Sequence, residues 1–263
     1  MPATGTWKKM EEAPLTRESL LAVLNNEIPA VRVRNFANDD ECAAFAAAVE
    51  AVGYKFYSVA RKIGYIGLAQ YEYRWDRPKT DYFRDAETAY GQQRELITRS
   101  FDAVQRLIDL LQPYTDGKVK IAEEAGLGRY YAGIARVAGE GVDLHADWAP
   151  LNSPSYDIGQ IDAQLGWNFY AEELISGGET TVHNAPWNPE CKPGEIPKSY
   201  GLDHSIVEGA PKYTFTPNKG DVVIFNTRNP HEIAGGVAGP GRNRISIGSF
   251  IGRMPNKDLV LWS

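Results

Sequence analysis

The sequence predicts an α+β fold, with helices first and a β-sandwich or barrel built from the second half of the chain. Three observations carry this. Apolar residues recur at helical spacing as far as Leu111. From Arg129 onward, short runs rich in β-branched and aromatic residues alternate with Gly, Pro, Asn and Asp turns. The 263 residues also contain no internal repeat and no long linker. Helices followed by strands are the order of an α+β domain, and strands this short build barrels or double-sheet jelly rolls. A single domain over 1–263 is therefore expected, with about 1–128 as helical support and lid elements and about 129–253 as the β core.

In chain order, Thr16 precedes a segment in which Leu20, Leu21 and Leu24 recur at helical spacing. Pro29 to Phe36 alternates Val31 and Val33 with Arg32 and Arg34, as a strand with one buried face does. Asn38 then opens a helix: its side chain suits a cap, and Asp39, Asp40 and Glu41 favour the positive helix end. Gly53 suits the stop. Leu96, Phe101, Val104, Ile108 and Leu111 lay an apolar stripe along a third, long helix from about Ala86 to Leu111. Ala163 to Tyr170, Glu179 to His183, Lys212 to Thr216, Asp221 to Phe225 and Arg244 to Ile251 read as strands. Turns such as Ser176-Gly177-Gly178 and Pro217-Asn218-Lys219-Gly220-Asp221 separate them.

Composition narrows the function classes. Lys and Arg number 28 against 34 Asp and Glu, a net charge of -6, so no nucleic acid is expected as a partner. No apolar run approaches the ~20 residues that span a bilayer, and Met1 to Pro14 has no apolar signal core. A cytoplasmic protein without membrane contact is expected. Cys42 and Cys191 are the only cysteines, which suits a reducing compartment and no disulfide framework. The four histidines can be weighed one at a time.

Leu144-His145-Ala146-Asp147-Trp148 holds the strongest local signal. In extended chain, residues i and i+2 point to one side, so His145 and Asp147 can converge, offering an imidazole nitrogen and a carboxylate oxygen to a divalent metal. A His-x-Asp triplet is common by chance, so this alone is weak. His231, in Asn229-Pro230-His231-Glu232 after the strand Val222 to Phe225, can add a third ligand from across a sandwich. The alternative is a histidine in a surface turn. In Arg244-Ile245-Ser246-Ile247, Arg244 and Ser246 face inward if the isoleucines face outward. A buried arginine needs an anion to offset its desolvation. A bound dicarboxylate would serve, and so would an Asp or Glu of the chain itself.

His145-Ala146-Asp147, Gly177-Gly178-Glu179, Gly220-Asp221-Val222-Val223-Ile224-Phe225, Asn229-Pro230-His231 and Arg244-Ile245-Ser246, in this order, resemble the Fe(II)- and 2-oxoglutarate-dependent dioxygenases. Gly64-Tyr65-Ile66-Gly67 to Tyr82-Phe83, with Gln164 to Tyr170, is similar to the branch of N-substituted amino-acid hydroxylases and carrier-independent aliphatic halogenases. The resemblance implies a double-stranded β-helix, or jelly roll. It implies iron held by His145, Asp147 and His231, and 2-oxoglutarate bound through Arg244 with Ser246 as helper. With O2, such a centre breaks an unactivated C–H bond and releases succinate and CO2. Halogenases of this superfamily carry a small residue in place of the carboxylate, so Asp147 implies hydroxylation. Desaturation, ring formation and epoxidation begin from the same hydrogen abstraction.

A small-molecule substrate in specialised or amino-acid metabolism is the expected partner. The competing readings are a peptide or protein hydroxylase and a non-catalytic jelly roll that binds a ligand. Trp148, Trp167 and Arg74 are the candidate substrate-contacting residues, Arg74 because a loop arginine suits a carboxylated substrate. The Pro- and Gly-rich insertion Asn184 to Ile206 reads as a lid or partner surface. His183 and His204 read as structural or loop residues, and Cys42 as a small core residue. A homodimer is compatible with all of this.

Overall fold

The computed structural model describes residues 7–57, 63–74, 77–187, 201–239 and 243–263. Cys191 and most of the insertion before Ile206 lie outside them. Four long helices, α1 (Arg17–Leu24), α2 (Asp39–Val52), α3 (Lys79–Arg99) and α4 (Ala103–Leu111), precede most of the strands. Asn38 caps α2 as expected, and Thr16 caps α1, which was not expected from the sequence. The Thr16 side chain accepts the Ser19 N–H, that of Asn38 accepts the Glu41 N–H, and each partner side chain accepts the amide of its cap.

The single helix expected from Ala86 to Leu111 is two. It starts earlier, at Lys79, and breaks at Ser100, where α4 restarts with the Asp102 carboxylate accepting the Gln105 N–H. The break lets Phe101 turn inward against Phe45 and Phe169, with ring centroids 5.8 and 5.7 Å apart. Phe101 thus belongs to the packing that ends the helix, not to a continuous stripe. The signal was present in Ser100-Phe101-Asp102, a helix cap inside an apolar pattern.

Numbering only strands of three or more residues, the sheets are built from β1 (Ala30–Val33), β2 (Gly64–Ile66), β3 (Val119–Ile121), β4 (Ile134–Val137), β5 (Val142–His145) and β6 (Ala163–Glu172). They continue with β7 (Thr180–His183), β8 (Lys212–Phe215), β9 (Val222–Asn226), β10 (His231–Ile233), β11 (Ile245–Arg253) and β12 (Leu259–Trp262). The major sheet runs β1–β9–β6–β11–β4–β2, with β12 pairing the far end of β11 and β3 beyond it. The minor sheet runs β8–β7–β10–β5. Two sheets connected in this way, antiparallel except where β3 pairs with β12, form the double-stranded β-helix. The major sheet draws β1, β2 and β3 from before Arg129 and β12 from after Arg253. The helical and β portions are therefore interleaved, not consecutive.

The two faces of the major sheet do different work. On one, Leu165, Trp167, Phe169, Ile224 and Ile247 pack against Leu20, Phe45 and Leu107 of the helices. On the other, Tyr170, Val223 and Phe225 meet Val182 and Phe215 of the minor sheet. Trp167 corrects one sequence expectation. It is 1% exposed in the helix-facing core, and its indole N–H donates to the Ser249 hydroxyl at 2.6 Å. It cannot wall a pocket between the sheets. Alternation shows which residues share a face but not which face looks inward. No helix among the described residues is long and apolar enough to cross a membrane.

Candidate active site

His145 ends β5 and His231 begins β10, and the antiparallel register sets them directly opposite each other. Opposed residues on neighbouring strands project their side chains to one face. Their rings lie 4.1 Å apart, centroid to centroid. Asp147 follows His145 by two residues. Its backbone is tied across the site, its N–H donating to the Thr227 carbonyl at 2.9 Å and its carbonyl accepting the Thr227 hydroxyl at 3.2 Å. Its Oδ2 thereby stands 3.8 Å from Nε2 of His145 and 3.8 Å from Nε2 of His231. All three residues are buried, and among the described residues they form the one group able to hold a metal.

Both imidazoles are set in the tautomer a metal needs. Nδ1 of His145 donates to the Asp143 carbonyl at 2.7 Å and Nδ1 of His231 to the Asn229 carbonyl at 3.0 Å, leaving each Nε2 lone pair aimed inward. Burial, and then the neighbouring His145, hold the His231 pKa well below the usual histidine value. A neutral imidazole is the ligating form. Two neutral nitrogens and one carboxylate on one side of a metal leave adjacent positions open, the arrangement of non-heme iron oxygenases. The donor set therefore fits iron(II).

Asn229 was not legible as functional. It is fully buried and its amide donates to Asn26 Oδ1 at 2.6 Å, which also accepts the Trp7 indole N–H at 3.0 Å. This chain of bonds fixes the carbonyl that orients His231. Asn229→Ala is expected to weaken iron(II) binding by about 10–100-fold, as loss of an orienting partner does, measured by competition with a chelating dye. Unchanged affinity would show that the backbone holds the carbonyl without the amide.

Arg244, just before β11, is 6% exposed, and burial lowers its pKa. Its Nη1 donates to the Gly178 carbonyl at 3.3 Å, while its Nε has no hydrogen-bond partner. The left-handed backbone of Gly177 and Gly178 (φ 78° and 80°) turns that carbonyl toward it, a conformation glycine adopts without strain. Arg32 provides the contrast. It is equally buried, yet it pairs with Glu12 at 2.7 Å and Asp221 at 3.2 Å. Among the described residues, Arg244 has no such carboxylate. An orphaned buried donor on a cation marks a place for an anion. Ser246 faces the same space, opposite Tyr170 on β6.

The other expected residues are dispersed. Trp148, half-buried beside Asp147, stacks under Arg228, whose guanidinium lies 4.9 Å over its ring and donates to the Trp187 carbonyl at 2.8 Å. Arg74 donates to the Tyr71 carbonyl and lies 5.0 Å over the Tyr71 ring. Burial chiefly raises the Tyr71 pKa. His183 and His204 share Glu232, at 3.2 and 3.1 Å, and are not among the three residues that could hold a metal; His204 is 69% exposed. Cys42 is wholly buried core. At the described ends of the insertion, Leu202 donates to the Leu144 carbonyl at 2.7 Å, and Ala185 and Ile206 pack on Leu144, covering the outside of β5.

Residues 9–263 match the family model of the carrier-protein-independent halogenase WelO5. The chain belongs to this family. A leucinostatins biosynthesis cluster protein S of Purpureocillium lilacinum is 32% identical over 76% of this chain and 86% of its own. The L-gamma-glutamyl-L-propargylglycine hydroxylase of Streptantibioticus cattleyicolor is 27% identical over 98% of this chain and 97% of its own. Among solved structures, an N-substituted L-amino acid dioxygenase from Burkholderia ambifaria, in complex with alpha-KG, covers 94% of this chain and 90% of its own. Its TM-score is 0.61 at 15% identity, a likeness of fold. The WelO5-family chain is an oxygenase of the iron(II)- and 2-oxoglutarate-dependent class.

Proposed function

We propose that the protein hydroxylates an unactivated C–H bond of a small carboxylated molecule, an amino-acid derivative or a natural-product intermediate. Iron(II) is held by His145, Asp147 and His231, and 2-oxoglutarate by Arg244 with Ser246 beside it. With O2 bound as well, the centre supplies the oxidant for C–H cleavage, releasing succinate and CO2. The chain's own part is positional. Thr227 and Asn229 keep the ligands converged, and Arg244 orients the cosubstrate. Trp148, next to Asp147 in the chain, is the residue proposed to meet the substrate. The walls exclude water from the reacting carbon.

The observation that carries hydroxylation over halogenation is Asp147, whose Oδ2 stands equidistant from both imidazoles. A halide would need the position that this carboxylate takes. The test is a succinate-release screen over amino acids and N-acyl amino acids in chloride buffer, with products weighed by mass spectrometry. Addition of one oxygen atom is expected. A chlorinated product from the wild-type protein would overturn the assignment.

A further inference from the structure

The central strand of the major sheet carries one polar side chain that packing does not explain. β6 runs between β9 and β11, and from Ala163 to Ala171 every residue except Asn168 is buried. Its neighbours Trp167 and Phe169 face the helices, while Tyr170 faces the minor sheet. By alternation Asn168 faces the minor sheet too, so its partial exposure opens into the space between the two sheets. It lies opposite Val223 on β9 and Gly248 on β11. A Cβ at Gly248 would stand 2.3 Å from the Trp167 carbonyl oxygen and 2.5 Å from Oδ1 of Asn168, so glycine there lets the carboxamide lie across the sheet. Among the described residues that carboxamide makes no hydrogen bond. Its donors are left for whatever enters the space.

Asn168 stands between the two ends of the site. Two residues before it on the same face, Gly166 is opposite Phe225, whose ring centroid lies 4.9 Å from that of His231. A Cβ at Gly166 would come 2.7 Å from Cγ2 of Thr227, the residue that ties down the Asp147 backbone. Two residues after it, Tyr170 is opposite Ser246, the neighbour of Arg244. Each two-residue step along a strand covers about 7 Å. A five-carbon dicarboxylate held by the metal at one end and by Arg244 at the other therefore passes over Asn168. Its methylenes offer no acceptor, and its far carboxylate belongs to Arg244 and Ser246. We propose that Asn168 is a positioning residue whose amide N–H donates to the metal-bound end of 2-oxoglutarate. This rests on the oxygenase reading above. A ligand held only at its ends can still turn about its long axis, and a donor between them fixes that rotation.

The test reads the visible charge-transfer band of the anaerobic Fe(II)–2-oxoglutarate complex in the wild type, Asn168→Ala and Asn168→Asp. In Asn168→Ala, loss of a hydrogen bond to a charged group should weaken 2-oxoglutarate by about 10-fold or more. The band maximum should move to shorter wavelength, because the bound 2-oxo acid loses a donor that lowers its acceptor orbital. A residue that only packs would not move it. Iron(II) affinity without cosubstrate should stay within about threefold of wild type in Asn168→Ala. Asn168→Asp keeps the shape but sets a negative charge beside a carboxylate, so it should lose more than alanine does. Melting of the apoprotein is the folding control, and the isosteric aspartate variant carries the test if the alanine variant does not fold. An unshifted band with 2-oxoglutarate affinity within about threefold of wild type in Asn168→Ala would overturn the inference. So would a comparable loss of iron affinity, or aspartate binding the cosubstrate as well as asparagine does. Failure of the wild-type band to form at all would instead sink the oxygenase reading.

Discussion

Asp147→Ala is expected to abolish the Fe(II)–2-oxoglutarate charge-transfer band and succinate release while leaving a folded protein. The two imidazoles alone do not make a facial site, and the third ligand is a charged group in a buried place. Removing one partner from a buried charge pair costs about 3–5 kcal/mol, which is on the order of 10²-fold or more in iron affinity. The fold should survive, because Asp147 is anchored to Thr227 by its backbone N–H and C=O, and alanine keeps both. Anaerobic absorbance, with thermal melting of the apoprotein as the folding control, reads both effects. A band of full intensity in Asp147→Ala would remove the carboxylate from the metal site.

For Arg244→Met the expectation has two opposed parts. Affinity for 2-oxoglutarate should fall at least about 30-fold, since truncating one member of a buried charge pair costs about 2–5 kcal/mol. Affinity for the prime substrate should change little. The apoprotein, by contrast, should melt no lower than wild type. Without cosubstrate, Arg244 is a buried charge with an unpartnered Nε and a single carbonyl contact, so an apolar side chain of similar volume removes a desolvation cost. 2-Oxoglutarate should raise the melting temperature of the wild-type protein and not that of the variant. Equal losses for both substrates, or a destabilised apoprotein, would make Arg244 a structural residue like Arg32.

Much of the fold was legible because it rests on local chemistry. The cap at Asn38 and the β-branched and aromatic runs of β6, β9 and β11 between turn residues involve residues within a few positions of one another. The elements that were not read depend on distant partners. β4, β10 and β12 are short, and they become strands only through pairing with β11 or β5. The break at Ser100 likewise follows from where Phe101 finds Phe45 and Phe169.

The same division runs through the site. The two-residue step from His145 to Asp147, which puts both on one side of an extended chain, was legible in the sequence, while a metal set that also includes His231 came only with the resemblance. That His231 stands directly across from His145 is a fact of register between strands far apart in the chain, and only the tertiary structure decides it. It also decides that Trp167 faces the helices, that Arg244 lacks, among the described residues, the acid partners Arg32 enjoys, and that Arg136 comes beside Ser246. Alternation is a relation between neighbours. Which face becomes the interior, and which charges are left without a partner there, depends on the two sheets closing on each other.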